Sequence, residues 1–292
     1  SGAEDLVPVL KQDTNGNWDQ ETLPPRTLEG KKYHIQRYRP RIEGLFARIE
    51  RWTNQTDPKD TFWRSISKDN ITTWYGKTDK SRIFDPADPS RIFSWLICES
   101  YDDKGNAILY EYNAENSKGV DLSLANERNR TEPTDTIRSA NRYLKGIKYG
   151  NKTSRLIQSD LSTMDWLFEV VFDYDEGRYE ELPANPNEHQ FIKARMQPTQ
   201  PWMVRQDPFS SYRAGFEIRT YRLCRRVMMF HHFPDELGID DYLVRSTEFT
   251  YSESPIASFI TSVTQSGYKH QHDETYLKKS LPPLEFEYSK AD

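Results

Sequence analysis

The sequence contains few of the features that announce chemistry. Its 292 residues include two cysteines and six histidines. No apolar run approaches the roughly 18 residues of a membrane-spanning helix, so this chain is not expected to insert directly into a membrane. No signal peptide opens it, and a first residue other than Met reads as a processed product or a fragment. The nucleophile elbow Gly-x-Ser-x-Gly, a Gly-rich phosphate loop and His-Glu-x-x-His are all missing. There is no Lys/Arg block, and the net charge is −5, which argues against a nucleic-acid partner. Two cysteines do not make a disulfide framework. Cys98 and Cys224 each sit in a strand-like run and read as buried free thiols.

What is present is aromatic and charged. Hydrophobic residues make up 35%, charged residues 29% and aromatics 13%; that aromatic content opposes disorder and suits sheets with at least one wet face. Short alternating runs are punctuated by turn residues, the grammar of an all-β protein. Phe62 to Ser67 and Ile71 to Gly76 flank Lys68-Asp69-Asn70 as a hairpin. Arg91 to Tyr101 reads as one long strand, turned at Asp102–Asn106 into Ala107 to Tyr112, with Gly105 free to take the positive φ such a turn needs. Trp166 to Tyr174, Phe216 to Phe230, Tyr242 to Tyr251, Ser258 to Thr264 and Leu284 to Tyr288 are further expected strands. One short helix is expected within Pro133 to Leu144, capped by Thr131 or Thr134. Glu181 to Pro201, with four prolines, reads as a long loop and the best internal boundary. The rhythm is alike on both sides of it, which favours one sheet system over residues 1–292.

The candidates for chemistry are weak one by one. Asp13-Thr14-Asn15-Gly16-Asn17 has the opening of a calcium loop, but Trp18 and Pro24 stand where Gly and Glu belong; a turn at Asn15-Gly16 fits better. Asp102–Asn106 reads as a turn for the same reason. His231 and His232, adjacent in a strand, point to opposite faces. His270 and His272 share a face but lack partners to complete a metal site. Carboxylate pairs such as Glu180 and Glu181 fit solvated faces. The sequons at Asn54, Asn70, Asn129 and Asn151 are within chance for such a composition. Seven scattered tryptophans fit packing better than a sugar-binding platform. We therefore assign no catalytic, cofactor-binding or metal-binding residue and expect no cofactor.

Four segments carry a resemblance. Tyr38 to Trp52 (YRPRIEGLFARIERW), Phe62 to Gly76 (FWRSISKDNITTWYG), Ser81 to Tyr112 (SRIFDPADPSRIFSWLICESYDDKGNAILYEY) and Asn141 to Asn151 (NRYLKGIKYGN) are similar, in that order, to the virulence-plasmid B-type region that opens toxin-complex B components. Gly215 to Phe233 resembles its continuation in insecticidal toxin-complex proteins. Tyr101-Asp102-x-x-Gly105-Asn106 also resembles the Tyr-Asp repeat of Rhs proteins, which form β-shells. The resemblance implies an extended antiparallel sheet that walls a hollow shell, with few short helices and long loops, and no enzymatic activity in this chain. It implies two partners, the Rhs-type C component whose toxic C-terminal segment is enclosed, and the pentameric A component reached through a propeller beyond residue 292. It also implies a secreted complex assembled in the bacterial cytoplasm before release. Within the first segment, the resemblance and the alternation together put Phe46, Arg48, Glu50 and Trp52 on a charged face that either lines the lumen or belongs to an ordinary amphipathic strand. The same region precedes an ADP-ribosyltransferase domain in the Salmonella plasmid protein, so a non-catalytic portion of such a toxin is the alternative, followed by a carbohydrate-binding module. Glu285-Phe286-Glu287 matches the transferase Glu-x-Glu in letters only.

Overall fold

A computed structural model describes residues 5–44, 46–130, 135–183 and 190–289. It is 52% strand and 6% helix, so the all-β expectation holds. The chain divides into two compact units, residues 1–111 with 153–164, and residues 112–152 with 165–292.

The first unit contains β1 (Leu6–Pro8), β2 (Leu10–Gln12), β3 (Trp18–Gln20), β4 (Thr22–Leu28), β5 (Lys31–Pro40), β6 (Arg48–Asn54), β7 (Thr61–Ile66), β8 (Thr72–Tyr75), β9 (Arg82–Asp85), β10 (Asp88–Trp95) and β11 (Ile97–Tyr101), with β12 (Ala107–Ala114) crossing its boundary. β5, β6, β7, β8, β11 and β12 pair antiparallel in that order. Alternation puts Tyr33, Ile35, Trp52, Phe62 and Trp74 on one face, where with Cys98 they form the buried core. The expected hairpin is β7–β8. Ser67 Oγ accepts from the N–H groups of Asp69 and Ile71, and Asn70 takes φ +58°, a conformation asparagine tolerates well.

The two loops weighed as calcium sites are one turn used twice. In each, the Asp of an Asp-x-x-Gly-Asn sequence accepts main-chain N–H groups two and four residues on, and also the Asn side-chain amide. Gly16 and Gly105 supply positive φ. A Cβ at Gly105 would collide with Ser154 Oγ. The Asp13 carboxyl is held below its ordinary value mainly by the Asn17 main-chain N–H, that of Asp102 mainly by the Asn106 amide. These carboxylates are committed to their own backbone.

The second unit contains β13 (Arg142–Asn151), β14 (Trp166–Asp173), β15 (Tyr179–Glu181), β16 (Gln190–Ala194), β17 (Phe209–Ser211), β18 (Ile218–Thr220), β19 (Arg226–His231), the short helix α1 (Pro234–Leu237), β20 (Tyr242–Glu253), β21 (Ser258–His272), β22 (Thr275–Ser280) and β23 (Leu284–Glu285). Its sheet runs β13, β14, β19, β20, β21, β22, β16, β15, with β23 beside the start of β21. Val171, Ile192, Met228, Phe230, Leu243 and Tyr276 form its buried core. Tyr143, Tyr174 and Trp202 make a second cluster.

Several expected elements differ. Arg91 to Tyr101 breaks at Leu96, whose N–H donates to Ser81 O and whose carbonyl accepts from Gly76 N–H; β10 pairs with β9 and only β11 joins the main sheet. Phe216 to Phe230 is two strands, β18 and β19, separated by Tyr221–Arg225. There Tyr221 N–H donates to the Glu115 carboxylate rather than to a neighbouring strand. Residues 41–47 connect β5 to β6, with Phe46 at φ +49°, so alternation in the first quoted segment begins only at Arg48. Glu50 and Trp52 on its charged face are buried in the unit. The loop expected at Glu181–Pro201 holds β16, because Ile192 and Ala194 fill the core. It lies inside the second unit. Residues 131–134 and 184–189, with the expected caps Thr131 and Thr134, fall outside the described residues. The expected helix reduces to a 3₁₀ turn at 135–140. β23 is shorter than expected, although Phe286 N–H still donates to Thr261 O.

Candidate functional site

Among the described residues, ionisable side chains converge at several places, including Arg225 and Arg226 with Asp173, Asp175, Glu248 and Glu253. A fully buried one is in the second unit. Glu115 and Arg222 are both fully buried and meet at 2.9 Å. Glu115 also accepts from Tyr143 Oη at 2.5 Å and from Tyr221 N at 2.9 Å. Burial first, then the Glu115 charge, pushes the Tyr143 hydroxyl far above the ordinary tyrosine value. Arg222 donates to the carbonyls of Trp202, Asn116 and Lys118 and lies 4.7 Å from the Trp202 ring. Beside it, Glu127 accepts from Arg219 and from Tyr221 Oη, each at 2.5 Å.

On the same Trp202, Lys145 Nζ stands 5.7 Å from the ring centroid and 4.6 Å from that of Tyr174, and it bonds to Glu176 and Phe172 O. Burial lowers the Lys145 pKa despite the nearby Glu176 carboxylate.

In the first unit, Asp60 accepts from Lys31, Tyr33, Asn54 and Arg82. Burial raises its pKa, but those donors outweigh it and hold the carboxyl below its usual value. Glu50 is treated likewise: burial is outweighed by the Arg64 charge, the Trp52 N–H and Arg48. Asp60 lies in a cleft of about 420 Å³ with Lys77, Arg82 and Glu29 on its walls. An apolar groove of about 440 Å³ is lined by Ile49, Trp63, Tyr75 and Trp95.

A further place is the corner around His232, in a recess of about 250 Å³ with Lys152, Asp165 and Asp241.

A general base needs a lone pair free to reach substrate, and the carboxylates of Glu115, Glu50 and Asp60 are taken up by guanidinium, amide, indole or hydroxyl donors. The thiols of Cys98 and Cys224 are free. Burial raises both, that of Cys224 to about 12, which leaves little thiolate for nucleophilic work.

The residues singled out in the sequence stay apart. His231 packs against Phe168 and Phe233, while His232 binds Asp241. A register shift between His270 and His272 breaks their shared alternation. Glu181 accepts from Lys278. Glu285 and Glu287 are exposed. Trp52, Trp74, Trp166 and Trp202 are buried and offer no sugar platform. Asn54 is buried and donates to Asp60, and the Asn129 side chain lies outside what is described. Among the described residues, no three His, Cys, Asp or Glu side chains are grouped to hold a metal. No sequence pattern announces the Glu115–Arg222 network. Its partners are about a hundred residues apart, and the local trace was the density of Arg and Tyr in RTYRLCRR.

Residues 1–233 match the family model described as SpvB, Salmonella virulence plasmid 65kDa B protein. The chain belongs to this family. SpvB-family relatives include the mono(ADP-ribosyl)transferase SpvB of Salmonella typhimurium, 40% identical over 241 residues, 81% of this chain and 38% of that protein. The chain thus spans well under half the length of the curated relatives it matches. Among solved structures, the N-terminal domain of the effector SpvB from Salmonella typhimurium strain LT2 is 37% identical with a TM-score of 0.76, covering 91% of this chain and 79% of that one. The TcdB2-TccC3 structure is 34% identical with a TM-score of 0.76 over 98% of this chain and 13% of that one. A Photorhabdus luminescens Tc holotoxin pore gives the same identity and TM-score, over 98% of this chain and 12% of the other.

Proposed function

We propose that this SpvB-family chain is a structural, non-catalytic wall segment of a secreted toxin-complex B component. In this reading its sheets help enclose the toxic C-terminal segment of an Rhs-type C component, which passes to the pentameric A component through an adjoining propeller. The observation that carries the reading is the match of 98% of the chain, at 34% identity, within a B–C assembly. The saturated carboxylates support it, since a wall needs rigid, paired charges and no free base. Within the expected Phe216 to Phe230 strand, Arg219 and Arg222 sit instead in deeply buried ion pairs.

The test is co-expression of the full open reading frame with its C component, followed by limited proteolysis. The C-terminal segment should survive digestion only when the B component is present. Equal digestion with and without it would sink the container. The 40% identity to a mono(ADP-ribosyl)transferase favours a second reading, a non-catalytic portion of such a toxin. NAD turnover by the full polypeptide but not by residues 1–292 would select it, and turnover by residues 1–292 would sink both.

A further inference from the structure

The connection from β19 to β20 is closed by its own first residue. His232 follows β19, and its main-chain N–H donates to Leu167 O at 2.9 Å. Its Nδ1 lies 3.0 Å from Asp241 Oδ1 and 3.1 Å from Asp240 O, at the far end of the connection. Its Nε2 lies 3.9 Å from Glu169 Oε2 on β14. One imidazole thus joins both ends of the 232–241 loop and the neighbouring strand.

The two protonation states of that ring differ in what they can hold. Imidazolium carries a proton on each nitrogen and attracts Asp241 and Glu169 together. Neutral imidazole has one N–H. With the proton on Nδ1, where two acceptors wait, Nε2 turns a lone pair toward the Glu169 carboxylate, and attraction becomes repulsion. The surroundings favour the proton. Asp165, Glu169, Asp240 and Asp241 face the recess or the ring, and the basic groups nearby are Lys152 at the recess, Lys148 opposite Glu169 in register, and Arg245 on β20 beside His231. The bond to Asp241, against the opposing effect of burial, raises the His232 pKa, whereas burial lowers that of His231. The loop holds one turn of helix, ends that turn at Gly238 with φ +77°, and rests on the core through Ile239.

We propose that His232 is a proton-operated latch that holds the 232–241 loop against β14 when protonated and loosens it when neutral. This goes beyond the container reading and does not depend on it. A histidine whose folded pKa is raised contributes fully below its unfolded value, here 6.5, and loses that contribution as pH rises through the higher folded value. The latch therefore holds in acid and is released as pH rises through the raised folded value.

Hydrogen exchange of the full chain, corrected for intrinsic rates and read by mass spectrometry at about pH 5.5 and pH 8.5, tests it. Amides of 233–241 should be better protected at the lower pH, the direction that a raised folded pKa requires. Amides in the middle of β20 should not change, which excludes global unfolding. His232→Gln should abolish the pH dependence, Glu169→Gln should weaken it, and His231→Gln should leave it intact. Equal protection at both pH values, or a dependence that persists in His232→Gln, would overturn the latch. If His232→Gln fails to fold, the proton NMR titration of His232 in the parent chain decides. A midpoint at or below 6.5 would overturn it.

Discussion

Replacing Arg222 with methionine is expected to destabilise the protein by about 3–5 kcal/mol, because it strands a buried carboxylate. Glu115 would lose the cation at 2.9 Å while staying out of water. Three main-chain carbonyls, of Trp202, Asn116 and Lys118, would lose their donor at the same time. Leaving such groups unsatisfied costs more than the bonds themselves contribute. A buried ion pair can often be exchanged for apolar side chains without loss, so the double variant Arg222→Met with Glu115→Leu is the informative comparison. It should recover only part of the loss, since Tyr143 Oη would then lack its acceptor and Tyr221 N–H would keep only its bond to Tyr143 Oη. The control is Arg195→Ala, which breaks an exposed pair with Glu274 and should cost no more than about 1 kcal/mol. Urea denaturation followed by tryptophan fluorescence measures all three. An Arg222→Met loss no larger than that of the control would show that the network does not hold the second unit together.

That network also marks the limit of what the sequence made legible. The β7–β8 and β11–β12 hairpins were readable because their determinants are local: Ser67, Asn70, Asp102 and Gly105 act within a few residues. Alternation grouped Trp52 with Glu50 on a charged face, and only the pairing with Phe62 and Trp74 shows that face to be the aromatic core of the first unit. The interrupted strands were not readable. At Leu96 and again at Tyr221 the main chain finds partners far away in sequence, and alternation carries no trace of them. β16 was hidden for the opposite reason. Its proline-rich flanks dominate the composition, while Ile192 and Ala194 are drawn into the core by strands contributed some eighty residues later. The same blindness affected charge. Charge is usually solvated, so nothing local marks Arg219, Arg222 and Glu50 as interior, and only the tertiary pairing shows them to be so.

Phe62→Ala should cost about 3–5 kcal/mol, the range for emptying a buried aromatic site. The ring is 1% exposed and sits among three others, with centroids 5.0 Å from Tyr33, 6.0 Å from Trp52 and 5.6 Å from Trp74. Removing it deletes transfer energy, leaves a cavity between rigid neighbours and breaks ring contacts, edge-to-face with Tyr33, stacked with Trp52 and tilted with Trp74, worth about 0.5–1.5 kcal/mol each. The site can hardly collapse, because the surrounding rings are tied elsewhere. Tyr33 donates to Asp60, Trp52 to Glu50 and Trp74 to Tyr101. Phe62→Leu should therefore cost less than Phe62→Ala but still more than about 1 kcal/mol. Phe46, exposed in the β5–β6 connection, gives the contrast: Phe46→Ala should stay within about 0.5 kcal/mol of the parent. The denaturant midpoint at unchanged slope reads each difference. A Phe62→Ala midpoint matching that of Phe46→Ala would mean that the first unit does not depend on this aromatic layer, and the assignment of its core would have to be abandoned.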